Sequence, residues 1–287
     1  MNNLKTNYNL SKNSWFGLGG KADKFFTPND ENELTNYIKK NTNEKYCFIG
    51  SGSNILFRDK GCKKTIIKLG KNFRNINIKN NKIICGSAVL KNQLSKFALD
   101  NEIINYEFLS CIPGTIGGGV TMNAGCFQNE FKDIIEEVKG FNKKTLKFVR
   151  YKKSEIKFSY RKTDLPDDLI VTEVVFQVKY GSKEKIKDKI NFFKKKKKAA
   201  QPSKIKTGGS TFKNPDSKIK AWELIQKSGC DRIKFGKAKF SKMHCNFIEN
   251  QGNSSLDIEK LIYFTIDEVK KKFNIVLEPE IKIIGEK

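Results

Sequence analysis

Two glycine turns in this chain are made of the residue types that wrap an anion. Ile112–Gly125 reads IPGTIGGGVTMNAG, five glycines in fourteen residues with only small, polar-uncharged or apolar residues between them. Gly114, Gly117, Gly118, Gly119 and Gly125 carry no Cβ and are able to take positive φ, so successive backbone N–H groups can converge on one anionic ligand. Thr115 and Ala124 keep the approach open. Upstream, GSGSN at Gly50–Asn54 follows the apolar run Tyr46–Ile49, as if the chain left a buried strand to wrap a second anion. Two such loops suit a diphosphate. Neither is the GxGxxG fingerprint or the GxxxxGK[ST] loop: Ile55 takes the place of the third glycine, and Val120-Thr121 stands where Lys-Ser/Thr is required. Glycine spacing alone serves plain tight turns equally well.

Three short motifs place polar groups in unusual settings. In FSYRK, Phe158–Lys162, a rare arginine stands among aromatics, and Arg161 read alone stacks on Tyr160 or pairs at the surface. In TGGSTFKNP, Thr207–Pro215, the pair Gly208-Gly209 makes a tight turn that presents the Ser210 hydroxyl, or simply an ordinary hairpin loop. In LEPEIKII, Leu277–Ile284, Glu280 opens an apolar strand, a position that often holds a half-buried, paired carboxylate.

A net charge of +25 suggests nucleic acid or an anionic membrane. The distribution argues otherwise: only five of the 56 basic residues are arginine, and the lysines are spread along the chain. The densest block, Lys194–Lys198, ends a lysine-rich helical pattern, where cations suit the helix dipole. A basic surface favours small polyanionic substrates. A basic nucleic-acid-binding protein, the competing reading, has the charge in its favour and nothing else.

The seven cysteines, an odd number without a CxxC, read as reduced core residues. One histidine, His244, excludes a multi-histidine metal site and disfavours a Ser-His-Asp triad. The N-terminal stretch has no apolar signal region and no segment is apolar over the ~20 residues of a membrane span. The protein is expected to be soluble and cytoplasmic.

The elements that must carry these groups alternate. A strand is expected at Phe25–Pro28, then a capping box at Asp30–Glu33 opening a helix to about Lys40. Further strands are expected near Tyr46–Ile49, Thr65–Leu69, Lys82–Cys85, Ile135–Asn142, Lys147–Tyr151, Leu169–Val178, His244–Glu249 and Ile281–Ile284. Helices are expected at Leu90–Asn101, about Lys183–Ala200, Lys218–Ser228 before Gly229, and Leu256–Phe273. The fold class is α+β or α/β, with a domain boundary near 182–202.

Taken together, IGSGSNILFRD, FLSCIPGTIGGGVTMNAG, SYRK, TGGSTFKNP, AWELIQKSGC, KMHCNFIEN and LEPEIKIIGE, in this order from about Asn13 to Gly285, resemble the UDP-N-acetylenolpyruvoylglucosamine reductases, the MurB flavoenzymes of peptidoglycan synthesis. The resemblance implies an α+β protein. Its two-part FAD-binding region of the vanillyl-alcohol-oxidase (PCMH) type would span 1–70 and 71–182. A substrate-binding domain with its connector helix would span 183–287.

The same resemblance implies noncovalent FAD, held by Gly50, Ser51, Gly52, Ser53 and Asn54 together with Pro113, Gly114, Thr115, Gly117, Gly118 and Asn123. NADPH would be the co-substrate and a UDP-sugar the substrate. The family's catalytic arginine falls on Arg161, its serine proton donor on Ser210 and its glutamate on Glu280, with Lys213 and Asn214 near the substrate diphosphate. The implied enzyme reduces an enolpyruvyl ether to a lactyl ether as a cytoplasmic monomer, without metal, nucleic acid or membrane. The short length resembles the subtype lacking an extra tyrosine loop over the substrate. Three departures stand out: Cys111 and Cys126 replace Gly and Ala beside the glycine loop, Thr163 replaces a serine, and Trp15-Phe16-Gly17 replaces a threonine-led start.

Overall fold

The computed structural model describes residues 3–202 and 205–287. The chain forms two compact units: Phe26–Ser51 and Ile66–Lys197 build most of the first, while Lys5–Phe25, Gly52–Thr65 and Lys198–Lys287 build the second. Helices and strands are mixed throughout both, an α+β fold.

In the first unit an antiparallel sheet runs in the order Lys147–Lys152, Ile135–Asn142, Leu169–Gln177, Lys82–Gly86, Ile76–Lys79. Its middle strand, LIVTEVVFQ, alternates half-buried with buried side chains, so Ile170, Thr172, Val174 and Phe176 share the core face. Gly140 sits at a register shift, and a Cβ there would lie 2.7 Å from the Ile170 carbonyl oxygen. Four helices belong to this part: α1 (Glu31–Lys40), α2 (Lys91–Asp100), α3 (Ile116–Thr121) and α4 (Lys183–Ala200). The expected capping box at α1 forms with its return bond displaced by one residue. Asp30 accepts from the Glu33 N–H at 2.8 Å, and the Glu33 carboxylate accepts from the Asn29 N–H at 2.9 Å. Helix α4 buries Ile186, Ile190 and Phe193 on one stripe, leaving four of Lys194–Lys198 exposed.

The core of the second unit gathers Phe16, Leu56, Phe212, Ile225, Ile262 and Ile281. It carries α5 (Ala221–Ser228), ended by Gly229 at φ 81, and α6 (Ser255–Phe273), whose first N–H is accepted by the Asp59 carboxylate at 2.8 Å. Ile55–Phe57 pairs in parallel with Lys282–Ile284. The reason Ile55 is not a glycine is therefore plain: it begins a strand. Two expectations shift here. Helix α5 starts at Ala221 rather than Lys218, because the Asp216 carboxylate accepts from the Lys218 and Ile219 N–H groups and holds that stretch as a turn. The strand expected at His244–Glu249 contracts to Ile248–Asn250, since Phe247 N–H turns back to the His244 carbonyl.

Candidate active site

Arg161 occupies the tip of a hairpin in the first unit, where Phe158 pairs with Thr163 and Ser159 with Lys162. The turn Tyr160-Arg161 places Arg161 at φ 57, a left-handed conformation that costs a residue with a Cβ about 1 kcal/mol. Its Nη2 donates to the Gly125 carbonyl at 3.1 Å, and its guanidinium carbon lies 4.8 Å from the Tyr160 ring centre. The arginine thus stacks as isolated arginines do, while being aimed by a backbone acceptor. Thr163, the replacement for serine, keeps the hydroxyl function by donating to the Thr121 carbonyl at 3.2 Å. Asn123 is fully buried, and its side chain bonds to protein groups on three sides.

The glycines of the 112–125 stretch differ from expectation. Of the five, only Gly114 has positive φ, at 110. Gly117 to Gly119 instead lie within the short helix α3, where their N–H groups face inward: Gly117 donates to the Ser87 carbonyl at 2.8 Å and Gly119 to that of Thr115 at 2.9 Å. Glycine is required there by close approach. A Cβ on Gly117 would meet the Ser87 Cβ at 3.0 Å, and one on Gly119 would enter the Phe131 ring at 2.4 Å.

An anion-holding role rests on other atoms of the two loops. A Cβ on Gly50 would lie 2.5 Å from Thr115 Oγ1, so the two loops meet at the first of their glycines. Beside it the buried Ser51 hydroxyl has no hydrogen-bond partner among the described residues, an orphaned donor of the kind a phosphate oxygen satisfies. Pro113 and Gly114 are pinned through their carbonyls by Lys91, through Nζ and through backbone N–H, each at 3.0 Å. Lys91 is only 5% exposed, which sets a buried ammonium against the loop. Sequence reading missed it, although a lysine in the first turn of a helix, against the dipole, was a usable flag. These features fit a flavin diphosphate at Gly50, Ser51, Pro113, Gly114 and Thr115.

Cys126 belongs to the same stretch; its Sγ donates to the Phe108 carbonyl at 3.4 Å, and burial pushes the thiol up to about 12. It stays protonated near neutral pH and is a weak nucleophile. Cys111 is buried as well.

In the second unit the chain brings Ser210 and Glu280 together. Ser210–Phe212 runs as an extended rung between two other segments, bridging Ser210 to Phe247 on one side and Phe212 to Pro279 on the other. Thr211 N–H donates to the Asn246 carbonyl at 2.7 Å, and the Thr211 carbonyl accepts from the Glu280 N–H at 2.8 Å. The Asn246 side chain completes the clamp by accepting from the Phe212 N–H and donating to its carbonyl, each at 2.9 Å. Asn246 escaped sequence reading; its only signal is a polar amide between apolar neighbours.

Gly208 and Gly209 serve different ends: a Cβ on the first would strike Phe16 at 2.5 Å, whereas the second takes φ 81 with open space around it. The bulky Phe16 of the unusual start is thus the fully buried neighbour that keeps residue 208 small. Asn54 joins this cluster, its Nδ2 donating to the Glu280 carbonyl at 2.9 Å and its own carbonyl accepting from Lys282 N–H at 3.0 Å. Gly52, at φ 74, has no room for a Cβ, which would fall 1.8 Å from the Asn13 carbonyl oxygen. Lys213 pairs with the exposed Glu278 carboxylate, and Asn214 accepts from the Ala221 N–H at 3.0 Å, capping α5. His244 accepts from the Asn246 N–H through Nδ1 and packs 5.0 Å from Phe247; burial lowers its pKa. It sits behind Asn246 as a packing residue.

Residues 201–284 match the family described as UDP-N-acetylenolpyruvoylglucosamine reductase, C-terminal domain, and residues 22–144 match an FAD binding domain. The chain is 46% identical to UDP-N-acetylenolpyruvoylglucosamine reductase of Pelagibacter ubique, covering 98% of this chain and 94% of that one. It is 42% identical to the enzyme of the same name from Rickettsia conorii, covering 98% and 95%. The crystal structure of UDP-N-acetylenolpyruvylglucosamine reductase from Thermus caldophilus superposes with a TM-score of 0.84 at 30% identity, over 96% of this chain and 97% of that one. The chain belongs to the UDP-N-acetylenolpyruvoylglucosamine reductase family.

Proposed function

We propose that this protein reduces the enolpyruvyl ether of UDP-N-acetylenolpyruvoylglucosamine to the lactyl ether of UDP-N-acetylmuramate, a step of peptidoglycan synthesis, with FAD as cofactor and NADPH as reductant. FAD would be held noncovalently where the Gly50–Asn54 and Pro113–Gly118 loops meet, at Gly50, Ser51, Pro113, Gly114 and Thr115. Bound there, it would supply the chemistry that carries hydride from NADPH to the enolpyruvyl methylene carbon. Hydride addition leaves carbanion character on the adjacent carbon, delocalised onto the neighbouring carboxylate. Arg161 and Glu280 stabilise that charge, a cation and a hydrogen-bonding acid where the enolate develops. Ser210 then gives its hydroxyl proton to the carbanion carbon, which is basic enough to take it from an ordinary serine. Lys213 and Asn214, which follow the Ser210–Phe212 rung in the chain, meet the substrate diphosphate. Functionally, 1–70 and 71–182 serve the cofactor and 183–287 the substrate.

The observation that carries this reading is the backbone rung through Thr211, which brings Ser210 and Glu280 side by side. We read the enzyme as a cytoplasmic monomer. The purified protein should be yellow, acid precipitation should leave the colour in the supernatant, and anaerobic NADPH should bleach it. Colourless protein that carries nucleic acid would replace this reading with a basic nucleic-acid-binding one.

A further inference from the structure

Asn123 was expected to touch the cofactor, yet its side chain is spent on protein. It is fully buried and takes φ 41, a left-handed conformation that asparagine tolerates better than most residues. Nδ2 donates to the Ser159 carbonyl at 3.1 Å and to Glu130 Oε2 at 3.0 Å, and Oδ1 accepts from the Lys132 N–H at 3.1 Å. Three of the amide's hydrogen-bonding positions are thus filled by this chain.

The three partners converge on one piece of machinery. Ser159 is the residue before the turn Tyr160-Arg161. Glu130 is the strand partner of Gly125, whose carbonyl accepts from Arg161 Nη2 at 3.1 Å. Thr163, after the turn, is tied to Thr121. The arginine hairpin is therefore anchored to the 121–130 segment from both of its strands and at its guanidinium, and the Asn123 amide also grips the Gly125–Glu130 pair. A hairpin of two residue pairs has little stability of its own. Without Asn123, the Ser159 carbonyl and the Glu130 carboxylate lose their common donor.

We propose that Asn123 is a positioning residue for Arg161: it fixes the hairpin against the very segment whose carbonyl aims the guanidinium, and acts on enolate stabilisation through Arg161 rather than on the cofactor. The assignment rests on the role proposed for Arg161. Two variants remove the amide: Asn123→Gly, which accepts positive φ freely, and Asn123→Ala, which bears the modest cost of a Cβ in this conformation.

Both variants should retain FAD and be bleached by NADPH at near-normal rate, while the step that consumes the enolpyruvyl substrate slows roughly 10- to 100-fold, the scale of a misplacement near 1 Å. Amide hydrogen exchange over 158–163 should quicken in the FAD-bound form of both, a readout independent of turnover. In an Arg161→Ala background Asn123→Gly should add almost nothing, because its effect runs through the missing guanidinium. Loss of FAD from a folded Asn123 variant, unchanged exchange over the hairpin, or an Asn123→Gly effect that multiplies with that of Arg161→Ala would overturn the proposal. If Asn123→Gly fails to fold, Asn123→Ala decides by the same measurements. Should Arg161→Ala alone turn over normally, the fault lies instead with the role given to Arg161.

Discussion

Arg161 and Ser210 both stand on short extended segments, but the two are located by different kinds of bond. Ser210 sits on a rung joined through backbone groups to neighbours on both sides, so its position is written into main-chain geometry that most substitutions leave alone. Arg161 rides on a two-residue turn at φ 57, held by side-chain to backbone bonds from Asn123 and Thr163 and by its own bond to Gly125. In the role proposed for Ser210, a proton donor must reach one carbon atom, and a backbone clamp suits that demand. In the role proposed for Arg161, a guanidinium that stabilises spread charge tolerates a looser mount, at the cost of depending on a few individual side chains. The arginine side should accordingly be sensitive to single side-chain changes, the serine side mainly to changes in its one clamping amide.

The largest effect expected in the first unit is at Gly117. Valine there brings a branched side chain against Ser87, 3.0 Å from the position of its Cβ, and displaces the helix α3 that leads out of the loop holding Pro113 and Gly114. Gly117→Val should purify without its FAD, read as the ratio of visible to protein absorbance. Full occupancy would show that the 112–125 stretch does not govern cofactor retention.

In the second unit, Asn246→Ala strips both the acceptor and the donor that pair with the buried Phe212 backbone. Each unpaired group costs about 1–3 kcal/mol, so thermal unfolding should move down by several degrees and turnover should fall with it. If Asn246→Ala keeps wild-type stability, the clamp resides in the remaining rungs alone.

A smaller effect concerns His244. Burial holds its folded pKa below the ordinary 6.5, so as pH falls the unfolded chain takes up the proton first. The stability contributed by neutral His244 is fully present above about 6.5 and is lost as pH falls from there toward the folded value. Because the ring is partly exposed, the loss should stay under about 1 kcal/mol. Comparing melting temperatures of the parent and His244→Gln across pH 5 to 8 (roughly the histidine range) checks it: the parent's deficit at the acid end should vanish in the variant.

Much of the fold could be read from local signals. Asp30 and Glu33 announced the start of α1, the alternation of Leu169–Gln177 announced the middle strand, and Gly229 marked the end of α5. What stayed hidden depends on distant partners. Ile55–Phe57 is too short to register until Lys282–Ile284 arrives beside it, more than two hundred positions later. Leu4–Asn9, largely exposed, lacks the apolar alternation that marks a strand.

The candidate site shows the same split. Residue types at Arg161, Ser210 and Glu280 stood out by their settings, and the family resemblance gave them roles. The supports did not stand out: Lys91, Asn123 and Asn246 are ordinary residues whose importance lies in which backbone groups they meet. The glycines were legible as glycines but not in their cause, because close approach of Ser87 or Phe131 is a tertiary fact.

The central claim, that Ser210 completes reduction of the enolpyruvyl group while Arg161 and Glu280 carry its transient charge, is tested most directly by separating the two half-reactions of Ser210→Ala. Bleaching by NADPH should proceed at near-normal rate, since it needs no proton from this hydroxyl, whereas turnover with the UDP-sugar should fall about 10²-fold or more, with Ser210→Cys losing less. A Ser210→Ala enzyme that turns over normally, or one that NADPH no longer bleaches, would contradict the account.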